Sequence, residues 1–108
     1  MSMYRIIKFY TGEVAKMAIR LVAQNPNMKF VGAFVYHENK VGKDLGEIAG
    51  IEHLGVPCSN DLDAVLSIEA DCVLLDSLTY EPELIAKILR SGKDVITRMG
   101  GWYPKTDP

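Results

Sequence analysis

YRIIKFYTGEVAKMAIRLVA, residues 4–23, is the stretch that decides the fold. Tyr4 to Phe9 is a short, mostly apolar run of strand length. From Gly12 onward, Val14, Met17, Ala18, Leu21 and Val22 recur at i, i+3, i+4, i+7 and i+8, the spacing of one helix face. A strand that turns through a glycine straight into a helix is the opening unit of an α/β sheet.

The rest of the chain repeats that alternation. The helix is expected to end near Gln24, because Asn25 precedes Pro26 and a residue before proline disfavours helix. Lys29 to Tyr36 is a continuous apolar run, as suits a parallel strand covered on both faces. A Gly-punctuated segment, VGKDLGEIAGIEHLG, has room for a short helix around Leu45 to Ala49. A short strand is read at Val56 to Cys58, and a helix capped by Asn60 or Asp61 running to about Ile68. Ala70 to Asp76 reads as a buried strand. Pro82 sits in the first turn of a helix that Gly92 ends, and Asp94 to Thr97 is a last strand. The expected fold is therefore a single α/β domain: a Rossmann-like parallel sheet of about five strands in the order 3-2-1-4-5, helices on both faces, without the usual sixth strand. The domain is read over residues 1–98, with 99–108 as a Gly/Pro-rich tail.

Composition narrows the function classes. The 108 residues carry a net charge of −2, with 48% hydrophobic and 24% charged residues. That is an ordinary globular balance, and no cluster of Lys and Arg is dense enough to track nucleic-acid phosphates. No apolar run reaches membrane-span length, and the N-terminus lacks a signal peptide's apolar region, so a cytoplasmic location is expected. Cys58 and Cys72 have no metal spacing, and His37 and His53 have no partner at such spacing. Cys72 reads as inert core. Cys58, between Pro57 and Ser59, is expected to be more exposed. Glu81 and Glu83 flank Pro82 at a helix start, where negative charge is favourable.

The first strand–helix turn has the form of a dinucleotide-binding loop with one departure. Tyr10, Gly12 and Ala15 hold the places of its three small residues. Gly12 allows close backbone approach to a pyrophosphate, and Ala15 allows close helix packing. Tyr10 stands at the tight-turn position, where positive φ costs a non-glycine residue about 1 kcal/mol. The amides of Thr11 to Val14 would face an anion at a helix N-terminus. A plain strand–helix turn reads the same residues equally well. After the second strand, Tyr36-His37-Glu38-Asn39-Lys40 puts no acid at the strand tip itself, though Glu38 is close. His37 and Lys40 could meet a phosphate there, which tilts the reading from NAD toward NADP.

These pieces, TGEVAK, VGAFVYHENKVGKDLGEIAG, NDLDAVL, ADCVLLD and SGKDVITRMGGWYP, resemble in order the N-terminal cofactor domain of the dihydrodipicolinate reductase superfamily. The resemblance is nearest the amine dehydrogenase branch that includes 2,4-diaminopentanoate dehydrogenase. VGKDLGEIAG is its most specific part. The resemblance implies an NAD(P)-binding domain of an oxidoreductase, with Thr11, Gly12, Glu13 and Val14 at the pyrophosphate and His37 and Lys40 at the adenosine ribose. Asp76, Ser77, Leu78, Thr97, Arg98 and Met99 would then lie near the nicotinamide. Asp76 reads equally as a cap for local backbone amides. Such relatives carry a larger second domain for substrate chemistry and oligomerisation, absent from these 108 residues, so no catalytic residue is assigned and the isolated chain is expected to show little or no dehydrogenase activity. Trp102 and Tyr103 would lie beneath that domain, or here exposed or against another copy. The partners implied are the dinucleotide and either a homo-oligomer or a separate substrate-domain chain. The alternative is a non-catalytic assembly module that self-associates and no longer binds cofactor.

Overall fold

The computed structural model describes residues 4–11, 13–76, 81–97 and 102–103, with backbone alone at 13–15 and 102–103. Five strands run parallel in the order expected, and a sixth extends them, giving β3-β2-β1-β4-β5-β6. They are β1 (Tyr4–Phe9), β2 (Met28–Phe34), β3 (Cys58–Ser59), β4 (Cys72–Leu75), β5 (Asp94–Thr97) and β6 (Trp102–Tyr103). The helices are α1 (Glu13–Ala23), α2 (Leu45–Ala49), α3 (Leu62–Leu66) and α4 (Pro82–Arg90).

Alternation along the strands builds two cores. Ile6, Cys72, Phe30 and Ala33 pack with Ile19 of α1 and Leu45 and Ala49 of α2 on one face. Ile7, Phe9, Val73 and Leu75 pack with Val65 and Leu66 of α3 and Ile85 and Ile88 of α4 on the other. Between β1 and β2 the register slips at Ile6/Ile7, where Ile7 faces Gly32. A Cβ on Gly32 would stand 2.8 Å from Ile68 Cδ1, so the absence of a side chain lets the second core close over that bulge.

Three expectations are corrected. The tail is not merely a Gly/Pro-rich lead-out: Trp102–Tyr103 adds an antiparallel strand to β5, pairing Val95 with Tyr103 and Ile96 with Trp102. Its two-residue length hid it, since no periodicity is readable over so few positions. The buried face of α1 is also rotated from the one the spacing picked. Ile19 is wholly buried, while Met17 and Leu21 are 67% and 63% exposed. Apolar residues lie on more than one side of this helix, so two overlapping stripes fit its sequence and only packing chooses between them. β3 begins two residues later and ends one residue later than read, because Gly42 and Lys43 bond back to Cys58 and fix where pairing begins.

The segment VGKDLGEIAG owes its sequence to architecture. The Asp44 carboxylate caps α2 by accepting the Gly46 N–H at 2.8 Å, and it also accepts from Leu54 at 2.7 Å and Val56 at 2.8 Å. A Cβ on Gly46 would collide with the carbonyl oxygen of Glu52. Arg20 of α1 donates from Nε to the Ala49 carbonyl at the end of α2, at 2.8 Å, tying the two helices together.

Candidate functional site

The strand order reverses direction between β1 and β4, so a crevice opens there beyond the carboxyl ends of the strands. β1 ends at Phe9, and Tyr10 turns the chain with φ +75. Thr11 is buried at 3% exposure, and α1 begins at Glu13. The eleven-residue helix therefore points its N-terminal amides toward this rim, the arrangement that favours an anion.

Tyr10 is held by its neighbours rather than by its own preference. Its N–H donates to the Phe34 carbonyl at 3.0 Å. Its ring stacks on Tyr36, with centroids 5.0 Å apart and planes 22° apart, and meets Phe9 and Phe34 edge-on. Its hydroxyl lies 2.9 Å from the Tyr36 hydroxyl and donates to Glu81 at 3.0 Å. The ring thus lies over the end of β2 and reaches the start of α4. Burial, then the Tyr36 and Glu81 contacts, push the Tyr10 phenol well above its usual range. Glu81 stands where it was read, at the start of α4 as the N-cap residue; it makes no capping side-chain bond, and its carboxylate accepts from Tyr10.

Lys40 closes the other side of the turn. It lies in the 3₁₀ turn Glu38–Lys40 and its ammonium donates to the Thr11 carbonyl and hydroxyl, both at 3.3 Å. A cation thus stands beside the helix-opening turn, a donor set that fits a phosphate. His37 is exposed at the head of that 3₁₀ turn.

Beneath the crevice lies a pair that sequence reasoning missed. Lys8 is fully buried in β1, and its ammonium lies 3.6 Å from Asp76 Oδ2, itself 7% exposed, while donating to the Phe9 carbonyl at 3.1 Å. Alternation puts Lys8 on the face of Ile6 and α1, directly under the turn. The Asp76 carboxylate is therefore engaged by a buried cation at the end of β4, a third role beside ligand contact and amide cap. A lysine between Ile7 and Phe9 in the strand YRIIKF was the only local signal, and its partner lies 68 positions away in sequence (76 − 8). Thr97 lies half-buried at the end of β5, paired with Leu75, the residue before Asp76. Gly12, Ser77, Leu78, Arg98 and Met99 lie outside the described residues, and Glu13 and Val14 are described as helix backbone alone.

Both cysteines are buried, which corrects the expected exposure of Cys58; burial, then the nearby Asp44 carboxylate, raise that thiol to about 11. Among the described residues no three His, Cys, Asp or Glu side chains group as a metal site, and no helix is long and apolar enough to cross a membrane.

The comparisons with known proteins agree with this architecture. Residues 6–97 match the family model for the dihydrodipicolinate reductase N-terminus. The chain is 37% identical over 93 residues to 4-hydroxy-tetrahydrodipicolinate reductase from Archaeoglobus fulgidus, covering 83% of this chain and 34% of that protein. It is 35% identical over 65 residues to an amine dehydrogenase from Streptomyces virginiae, covering 59% of this chain and 18% of that protein. The solved amine dehydrogenase from Mycobacterium smegmatis superposes with a TM-score of 0.73 at 25% identity, covering 87% of this chain and 29% of that one. The chain spans between 18% and 34% of the length of these curated relatives. With the matched residues running from β1 to the end of β5, this chain belongs to the dihydrodipicolinate reductase N-terminal family.

Proposed function

We propose that this chain is the nicotinamide-dinucleotide-binding domain of an NAD(P)-dependent oxidoreductase of the dihydrodipicolinate reductase and amine dehydrogenase type. The observation that carries the proposal is the turn after β1, at the sheet's switch point, with the α1 N-terminus on one side and the Lys40 ammonium 3.3 Å from Thr11 on the other. The pyrophosphate would lie against Thr11, Gly12, Glu13 and Val14, and the adenosine ribose near His37 and Lys40. The nicotinamide would lie near Asp76, Ser77, Leu78, Thr97, Arg98 and Met99. The bound dinucleotide would supply hydride chemistry. This chain's part is to bind it, orient it, and supply a cation and amides to its phosphates. Holding a hydride acceptor in near-attack geometry falls to residues outside the matched stretch, so no catalytic residue is assigned here.

NADP is favoured over NAD because Tyr36, two residues past β2, is not an acid, and Lys40 stands close by the turn at Thr11. Calorimetric titration of the chain with NADPH and NADH tests both levels. The expected result is saturable binding of both, tighter for NADPH. No heat with either cofactor at millimolar concentration would refute the proposal, and tighter NADH binding would refute the preference.

A further inference from the structure

We propose that the outward face of Tyr36 is a stacking platform for a purine base, the adenine of the dinucleotide, and that Tyr10 is the residue that fixes it in place. The inference rests on the reading of this rim as a dinucleotide site.

Tyr36 is 63% exposed, an unusual degree for a large aromatic residue, yet its ring is not free to wander. One face is covered by the Tyr10 ring at 5.0 Å. The ring also meets Phe34 edge-on, at 5.2 Å and 84°, and its hydroxyl lies 2.9 Å from that of Tyr10. The opposite face is left to solvent, flat and already oriented. A base stacking there meets a side chain whose ordering cost has been met by the fold, which is what makes a platform effective. Stacking on an aromatic ring accepts any base, because every base has a π-face.

The position suits the ligand. Tyr36 follows the end of β2 and is followed within four residues by Lys40, whose ammonium lies against Thr11 of the phosphate turn. Base, ribose and phosphate contacts would thus follow one another along a single short path. Tyr10 strengthens the case through its backbone. A strained residue persists where the surroundings over-determine it, and such residues cluster at ligand sites. Here the strained residue is the one whose ring backs Tyr36.

The test compares the wild-type chain with Tyr36→Ala and Tyr36→Leu by calorimetry against NADH and NADPH, with thermal melts to establish folding. Tyr36→Leu keeps an apolar contact on Tyr10 but offers no π-face, so it guards against simple loss of packing. The proposal expects both variants to lose about tenfold in affinity, by the same factor for the two cofactors, since the adenine is common to both. It expects Tyr36→Phe to stay within about threefold of wild type, because the ring remains. Unchanged affinity in Tyr36→Ala and Tyr36→Leu would overturn the platform while leaving the dinucleotide reading intact. A loss confined to NADPH would overturn it too, because that pattern belongs to a 2′-phosphate contact. A wild-type chain that takes up neither cofactor would instead remove the dinucleotide reading on which the platform depends.

Discussion

Gly55 and Tyr10 have the same backbone twist, φ +75, and opposite side-chain choices. Gly55 belongs to the loop around Asp44, where Gly42 and Gly50 also take positive φ, at +85 and +76. There the carboxylate of Asp44 gathers three backbone N–H groups and the conformation alone matters, so the residue without a Cβ is used. At Tyr10 the same conformation carries a large ring that reaches Tyr36 and Glu81. The difference teaches that at the first turn the side chain, and not the conformation alone, is put to use. Its strain is offset by contacts that the tyrosine alone can make, and those contacts lie at the rim where a ligand would bind.

The largest expected effect lies under that turn. Replacing Lys8 by Met removes the buried ammonium that faces the Asp76 carboxylate, and urea unfolding should report a loss of about 3–5 kcal/mol. The double variant Lys8→Met with Asp76→Leu should recover most of it. No recovery would mean that the pair is not the unit that stabilises the floor of the crevice.

Next is the loop itself. Asp44→Ala removes the acceptor for three backbone N–H groups and should cost about 3 kcal/mol by the same measurement. Burial opposes ionisation of Asp44, but the N–H donors, those of Leu54, Val56 and Gly46 foremost, outweigh it and hold its pKa below the usual value. A depressed carboxylate contributes stability above its unfolded pKa, about 3.9, and that contribution is lost as pH falls through the folded value. Wild type should therefore lose stability in acid more steeply than Asp44→Ala. Parallel acid profiles would contradict this account.

The smallest effect sharpens the comparison most. Nothing lies within 4 Å of a Cβ built on Gly55, so Gly55→Ala reports the strain of φ +75 by itself, about 1 kcal/mol of destabilisation. Tyr10→Gly relieves the same strain but removes the ring contacts, and should come out destabilised by about 1 kcal/mol, because burying an aromatic side chain contributes more than the strain costs. If Tyr10→Gly were clearly more stable than wild type, the ring would be a burden and not a brace.

What the sequence made legible follows from the range of each signal. The parallel strand order, the α2 limits and the Asp61 cap were readable because they rest on local runs, caps and glycines. The buried face of α1 was not, because Met17 and Leu21 satisfy helical spacing as well as Ile19 does. The turn at Tyr10 was located, but its chemistry was not, since Glu81 is 71 positions away and Tyr36 is 26. Lys40 was legible as a residue that could meet a phosphate, but its contact with Thr11, 29 positions away, exists only in the folded chain. Contacts between distant strand ends exist only once the sheet is assembled.

The amino-terminal rim of the same sheet gives the central claim its control. A groove of about 610 Å³ there is lined by Arg5, Asp71 and Lys93 among others, and its charges are tied up within the chain. Arg5 bonds Asp71 from its backbone at 2.8 Å and its side chain at 3.4 Å, while the Lys93 ammonium donates to the Leu66 carbonyl at 2.7 Å. Titrating the ¹⁵N-labelled chain with NADPH and following backbone amide shifts distinguishes the two rims directly. The account predicts saturable shifts at Thr11, Tyr36 to Lys40, Asp76 and Thr97, with Arg5, Asp71 and Lys93 unmoved. Shifts confined to the amino-terminal groove, or none at millimolar NADPH, would contradict it.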